Sequence, residues 1–297
     1  MTSSHPSLSL AYSALVAMML FWGLSFVATK VALETFPAFT LLFCRFALAS
    51  SFFLMILVRK GIPALSAKDH GRILLVALFE PGLYFVFETI GLQYTSAAKA
   101  SLIIATVPLF VMIFAFFFLR ERTNLASFLG IGVSLFGIFL LIRADPHFAW
   151  SLGTSFLGDL LIFGAVLSAA LYTVTARTAG RKTSALTVTG LQMCYGALFY
   201  FPAFLWELPS LEWSAFSARS VAALLYLALF ASIGAFFCYN YALSRIPATK
   251  ASVFVNGIPV ITTLAAWALL GELLTPLQMA GGALVLFGVY LSNRLKI

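Results

Sequence analysis

Residues 97–108, AAKASLIIATVP, return as residues 248–259, ATKASVFVNGIP, and that recurrence decides the fold. A shift of 151 positions lays Lys99 on Lys250, Ala100-Ser101 on Ala251-Ser252 and Pro108 on Pro259. The same shift carries Leu119-x-Glu121 onto Leu270-x-Glu272, Gly130 onto Gly281 and Phe136-Gly137 onto Phe287-Gly288. Apolar helices that match by composition alone share scattered Leu and Phe, not a fixed series of Lys, Pro, Glu and Gly. The series therefore reads as an internal duplication. At the start of each half a shift of about 146 aligns Trp22-Gly23-x-x-Phe26-x-x-Thr29 with Ser168-Ala169-x-x-Tyr172-x-x-Thr175. A few extra loop residues account for the changed offset.

The duplication sits in a chain built for lipid. Of its 297 residues 62% are hydrophobic and only 9% charged, far below the quarter usual in soluble domains. Ten stretches are long enough to cross a bilayer, near 9–30, 38–59, 71–92, 97–120, 125–143, 156–178, 184–206, 219–243, 248–271 and 275–294. Five per half is an odd number, so the two copies run through the membrane in opposite senses. The expected fold is an all-α integral membrane protein of ten transmembrane helices, arranged as two inverted five-helix repeats. The repeats divide as 1–146 and 147–297, at the loop holding Asp145-Pro146-His147. The first stretch lacks a basic leader and a small-residue cleavage site, so it reads as a permanent helix.

Charge orients the chain. With a cytoplasmic N-terminus, about thirteen Lys and Arg fall on the cytoplasmic side and about four, Lys30, Lys99, Arg143 and Arg219, on the other. This positive-inside bias places both termini in the cytoplasm. The net charge of +8 is divided among loops and makes no continuous basic face, which excludes nucleic acid as a partner. Cys44, Cys194 and Cys238 lie in apolar stretches without metal spacing and read as small buried hydrophobes.

The motifs resemble those of the drug/metabolite transporter superfamily, in its EamA-type ten-helix branch. They are Phe21-Trp22-Gly23-x-Ser25-Phe26, Pro37 with Arg45-Phe46, and Gly91-Leu92-Gln93-Tyr94-Thr95-Ser96-Ala97-x-Lys99-Ala100-Ser101. Pro108-Leu109, Leu119-x-Glu121, and the second copy at Ile246-Pro247-Ala248-x-Lys250-Ala251-Ser252, Pro259 and Gly271-Glu272 complete the set. Within that branch the chain is most similar to YddG-type exporters of aromatic and other neutral amino acids. The resemblance implies a multi-pass protein of a bacterial inner membrane, working without a cofactor.

Candidate substrate contacts follow from what is costly inside a membrane. Glu80, Tyr84, Glu88 and Gly91 share one face of the third helix, and Pro81-Gly82 interrupts it, freeing carbonyls for a substrate ammonium. Tyr239, with Asn240 beside it, lies on the matching face of the second half. Asn256 precedes Pro259 as Thr106 precedes Pro108. Trp22 and Tyr172 occupy matching places in the first and sixth helices and suit an aromatic wall. Each has a plain structural alternative: Glu80 and Glu88 as bundle ion pairs, Asn256 as a helix–helix bond, the aromatics as packing. Lys99 and Lys250 read as snorkelling lysines, Glu121 and Glu272 as residues fixing short turns, and Arg45 as half of an intramembrane salt bridge. Gly130-x-x-x-Ser134-x-x-Gly137 and Gly281 with Gly288 give the fifth and tenth helices smooth faces, for packing together or for a dimer.

The expected function is export of neutral and aromatic amino acids by alternating access around a midplane cavity. The protein is expected to act as a monomer, with a homodimer as the alternative. A phosphorylated-metabolite or nucleotide-linked antiporter needs deep cationic residues, and only Arg45 qualifies. A proton-coupled drug exporter of the small multidrug type needs an acid in the first helix, which has none before Glu34. His5, His70 and His147 lie in loops or the tail and build no metal site, so an enzyme is not expected.

Overall fold

A computed structural model describes residues 6–61, 64–120, 125–143 and 154–294. The midpoint loop at Asp145-Pro146-His147 and the residues Glu121, His5 and His147 lie outside the described residues. The described chain is helical and contains no strand. Its helices are α1 (Pro6–Ala32), α2 (Ala38–Lys60), α3 (Ala67–Gly91), α4 (Ala97–Leu119) and α5 (Leu125–Arg143). The second half gives α6 (Thr154–Gly180), α7 (Ala185–Glu207), α8 (Ala218–Leu243), α9 (Ala248–Leu270) and α10 (Pro276–Arg294).

Eight of these, α1–α4 and α6–α9, are long and apolar enough to cross a membrane. A regular helix bonds its backbone groups within its own segment, which is what a hydrocarbon surrounding demands. Large side chains such as Phe117, Trp206, Leu264 and Trp267 face outward, as they do where lipid replaces water.

Four of the helices are interrupted, and the interruptions come in matched pairs. In α3 the residues Leu78–Leu83 widen the coil, and Glu80 leaves helical geometry altogether at φ −149°, ψ 116° before Pro81, which has no N–H to give. In α8 the residues Leu227–Ala235 widen similarly. α4 breaks at Ala105–Thr106 just ahead of Val107-Pro108, and α9 tightens over Val253–Gly257 just ahead of Ile258-Pro259. Both α4 and α9 stop in a left-handed residue, Arg120 (φ 55°) and Gly271 (φ 66°).

α5 and α10 pack against each other more extensively than any other pair. Their approach is close because Gly137 has no side chain: a Cβ there would stand 2.7 Å from both the Gly281 carbonyl oxygen and the Val285 nitrogen. The remaining eight helices surround a core rich in aromatics, with Phe26, Phe46, Phe53, Tyr172, Phe236 and Tyr239 fully buried.

Candidate functional site

At the centre of those eight helices lies a narrow cavity of about 30 Å³, room for about two water molecules. Its wall carries two carboxylates, Glu80 and Glu88, and two aliphatic hydroxyls, Ser25 and Thr173, among aromatic and aliphatic side chains. Trp22, Ser25 and Phe26 come from α1; Glu80, Tyr84, Phe85 and Glu88 from α3; Ala169, Tyr172 and Thr173 from α6; and Tyr239 from α8. Ile104, Val107, Val255 and Ile258 close it from the breaks in α4 and α9.

The aromatic groups hold one another in place. The Trp22 ring meets Phe236 and Tyr239 edge-on, each at 5.3 Å between centroids, and Tyr172 stands 6.0 Å from Tyr239. Each carries a polar handle that is already satisfied. Trp22 Nε1 donates to the Ala231 carbonyl (3.2 Å), inside the widened part of α8, and Tyr172 OH donates to Asn240 Oδ1 (3.0 Å). Asn240 in turn donates to Thr189 Oγ1 and Gln192 Oε1 of α7, while Tyr239 OH shares a hydrogen bond with Thr173 Oγ1 (3.2 Å). Asn240 therefore orients Tyr172 and faces away from the cavity.

Six of the eight expected contacts, Trp22, Glu80, Tyr84, Glu88, Tyr172 and Tyr239, are brought to this one wall. Thr106 and Asn256 are not. Thr106 turns its hydroxyl back to the Ile103 carbonyl (2.7 Å), and its neighbours Ile104 and Val107 face the cavity instead. Asn256 is half-buried, and its Oδ1 has no hydrogen-bond partner among the described residues; Val255 and Ile258 take the wall positions. The carbonyls freed by the α3 break are also not open to a ligand. Gln192 Nε2 donates to Glu80 O (2.6 Å), and Tyr200 OH sits between the Pro81 and Gly82 carbonyls at 2.8 and 2.5 Å, donating to one at a time. Side chains of α7 thus do the work expected of a substrate.

Arg45 is sealed, 1% exposed, just behind the wall. Its Nε donates to Ser232 (3.1 Å) in the widened turn of α8, and its guanidinium lies 4.4 Å from the Phe85 ring centroid. No carboxylate comes within ion-pair distance of it among the described residues, and one terminal nitrogen has no hydrogen-bond partner there. The expected salt bridge is in fact a cation held over an aromatic ring.

A second polar network, at the helix ends on the Lys30 side, is the part that sequence reasoning missed. Lys99 Nζ and Asp159 Oδ2 are 2.6 Å apart, both side chains sealed, and Thr95 Oγ1 donates to the other oxygen of Asp159 (3.0 Å). Glu272 pairs with Lys30 (3.2 Å) and accepts the Ala97 and Ala98 amides at the start of α4. Glu207 accepts the Phe39 and Thr40 amides at the start of α2, where Pro37 has no side chain able to cap. Lys99 is accordingly a buried ion-pair partner, not a snorkelling residue, while Lys250 is exposed.

A polar and aromatic cavity thus lies inside a bundle of membrane-length helices, the kind of place where ligand sites occur between helices. Comparison with known proteins supplies the class. The EamA-like transporter family model matches residues 9–143 and again residues 156–294, and the chain belongs to that family. It is 28% identical over 284 residues to the uncharacterized transporter YetK of Bacillus subtilis, covering 95% of this chain and 86% of that protein. It is 29% identical over 274 residues to an uncharacterized transporter of Archaeoglobus fulgidus, covering 92% and 95%. It is also 29% identical over 290 residues to a probable terminal-alkyne amino-acid exporter of Streptantibioticus cattleyicolor, covering 97% and 94%. A solved structure at 19% identity superposes with a TM-score of 0.71 over 96% of both chains, which shows the same fold.

Proposed function

We propose that this transporter exports neutral and aromatic amino acids from a bacterial cytoplasm across the inner membrane. The observation that carries the reading is the central wall: two carboxylates and a set of aromatic rings, with no basic side chain lining it among the described residues. Such a wall suits an ammonium and stacks an apolar side chain, and it lacks the Arg or Lys that a phosphate needs. Trp22, Glu80, Tyr84, Glu88, Tyr172 and Tyr239 are the proposed contacts, with Thr106 and Asn256 reaching the substrate when the breaks in α4 and α9 move. The amino-acid exporter among the relatives supports the substrate class.

In this reading all ten helices cross the membrane, both termini are cytoplasmic, and the halves 1–146 and 147–297 are inverted repeats. Two separate matches to one family model and the paired breaks of α3 with α8 and α4 with α9 support the duplication. Transport proceeds by alternating access. A cavity of about 30 Å³ is too small for an amino acid, so binding requires the aromatic rings to part.

The test is uptake of radiolabelled Phe, Trp, Thr and Ala into liposomes carrying only this protein. Saturable, mutually competed flux that falls in Tyr84→Ala and Tyr239→Ala supports the proposal. Flux of phosphorylated solutes, with none of amino acids, overturns it.

A further inference from the structure

The opposite face of the bundle, where α6 ends, α7 begins and α8 ends, holds a larger open cavity of about 590 Å³. Three exposed cations, Arg181, Lys182 and Arg245, stand around it, and no carboxylate among the described residues lines it. Arg245 is held in place: its guanidinium lies 3.5 Å from the Tyr241 ring centroid and donates to the Tyr241 carbonyl (3.1 Å) and the Ser244 hydroxyl (2.7 Å). The electrostatic reach of Lys182 extends to Asp69, but that acid is already engaged by Arg72 at 2.8 Å and by Ser66.

The wall changes character along its length. Phe237 lies two helical turns before Arg245 on α8, roughly 12 Å away along the axis, and is 36% exposed. One wall therefore runs from a cationic rim into the apolar surface of a membrane-length helix. That polarity is the polarity of a phospholipid, and basic pockets between helices on the cytoplasmic side suit anionic headgroups.

We propose that this groove seats an anionic phospholipid of the cytoplasmic leaflet, with Arg181, Lys182 and Arg245 around its phosphate and Phe237 against an acyl chain. The assignment rests on the orientation given above, in which this face is cytoplasmic, but not on the identity of the transported solute. A free phosphorylated metabolite shares the phosphate chemistry and has nothing to place against Phe237.

The experiment is native mass spectrometry of the full chain in neutral detergent, titrated with phosphatidylglycerol, phosphatidylcholine or glycerol 3-phosphate. Phosphatidylglycerol is expected to bind far more tightly than phosphatidylcholine. The triple variant Arg181→Ala/Lys182→Ala/Arg245→Ala is expected to weaken it on the order of a hundredfold. The charge-keeping Arg181→Lys/Lys182→Arg/Arg245→Lys variant, which reports on folding, is expected to retain most binding. Phe237→Ala is expected to weaken phosphatidylglycerol alone. Unchanged binding in the triple variant overturns the proposal, as does an equal loss in Arg59→Ala/Lys60→Ala. Displacement of the lipid by equimolar glycerol 3-phosphate overturns the lipid as occupant. Because no flux is measured, a failed export assay leaves these outcomes distinct.

Discussion

Lys99 and Asp159 meet at 2.6 Å with both side chains out of contact with solvent, joining the first turn of α4 to the first turns of α6. A pair this deep is costly to break, because the charge left behind loses its close counter-ion. Lys99→Ala or Asp159→Ala is expected to destabilise the protein by about 3–5 kcal/mol. The double variant Lys99→Ala/Asp159→Ala is expected to lose less than the sum, because both charges of the pair go together. Thermal unfolding in detergent of the four proteins of the cycle checks this, and strict additivity would count against a coupled pair.

Glu272 serves two amides of α4 and one lysine of α1 at once. Replacing it by Ala is expected to cost about 1–2 kcal/mol as a lost cap, and replacement by Gln somewhat less. Hydrogen exchange would localise the effect: amides 97 and 98 should exchange faster in Glu272→Ala, while the Lys99 amide, held by Ser96, and the helices α5 and α10 stay protected.

The α3 break is held by α7. Tyr200→Phe leaves the Pro81 and Gly82 carbonyls without their donor, and Gln192→Leu does the same for Glu80. Each is expected to cost about 1–3 kcal/mol, the penalty of an unsatisfied buried carbonyl. If melting temperatures of both variants match the parent, water or another side chain has taken over the capping.

Gly137 offers a contrast within one helix. Leu at 137 must displace the α10 backbone, whereas Leu at Gly132, which faces open space, displaces nothing. Gly137→Leu is expected to destabilise by several kcal/mol, at or beyond the upper end of ordinary overpacking, and Gly132→Leu to be near neutral. Similar melting curves for the two would show that α5 and α10 are not in close register.

Trp22 combines ring contact with a hydrogen bond to the widened turn of α8. Trp22→Phe keeps a ring in the wall and loses the bond; Trp22→Ala loses both. The expected order of aromatic amino-acid flux is parent, Trp22→Phe, Trp22→Ala, with the last step about three- to tenfold from lost ring contacts. Equal flux in the two variants would put the function of Trp22 in the bond to Ala231.

The sequence carried some of this plainly and some not at all. Pro81 announces its own break because a missing N–H and a clashing ring act within one turn. The face shared by Glu80, Tyr84 and Glu88 was legible for the same local reason, since helical spacing continues beyond the break. Thr106 and Asn256 are singled out by their places ahead of Pro108 and Pro259, which mark a break without fixing which side chain turns inward. The loss of register at Ala105–Thr106 and Val253–Gly257 gives the wall to their neighbours. Asp159 left no sign, because its partner is sixty residues away and only the packing of α4 on α6 brings them together. Glu272 misled for a related reason: it ends α9, yet its carboxylate acts on α4, across the molecule.

The exchanged caps bear on how the chain is made. Glu207 and Glu272 both belong to the second half, and the amides they accept, at Phe39, Thr40, Ala97 and Ala98, belong to the first. In the order of synthesis the starts of α2 and α4 precede these caps by about 170 residues, so both starts are completed only once residues 207 and 272 have been made and packed against them.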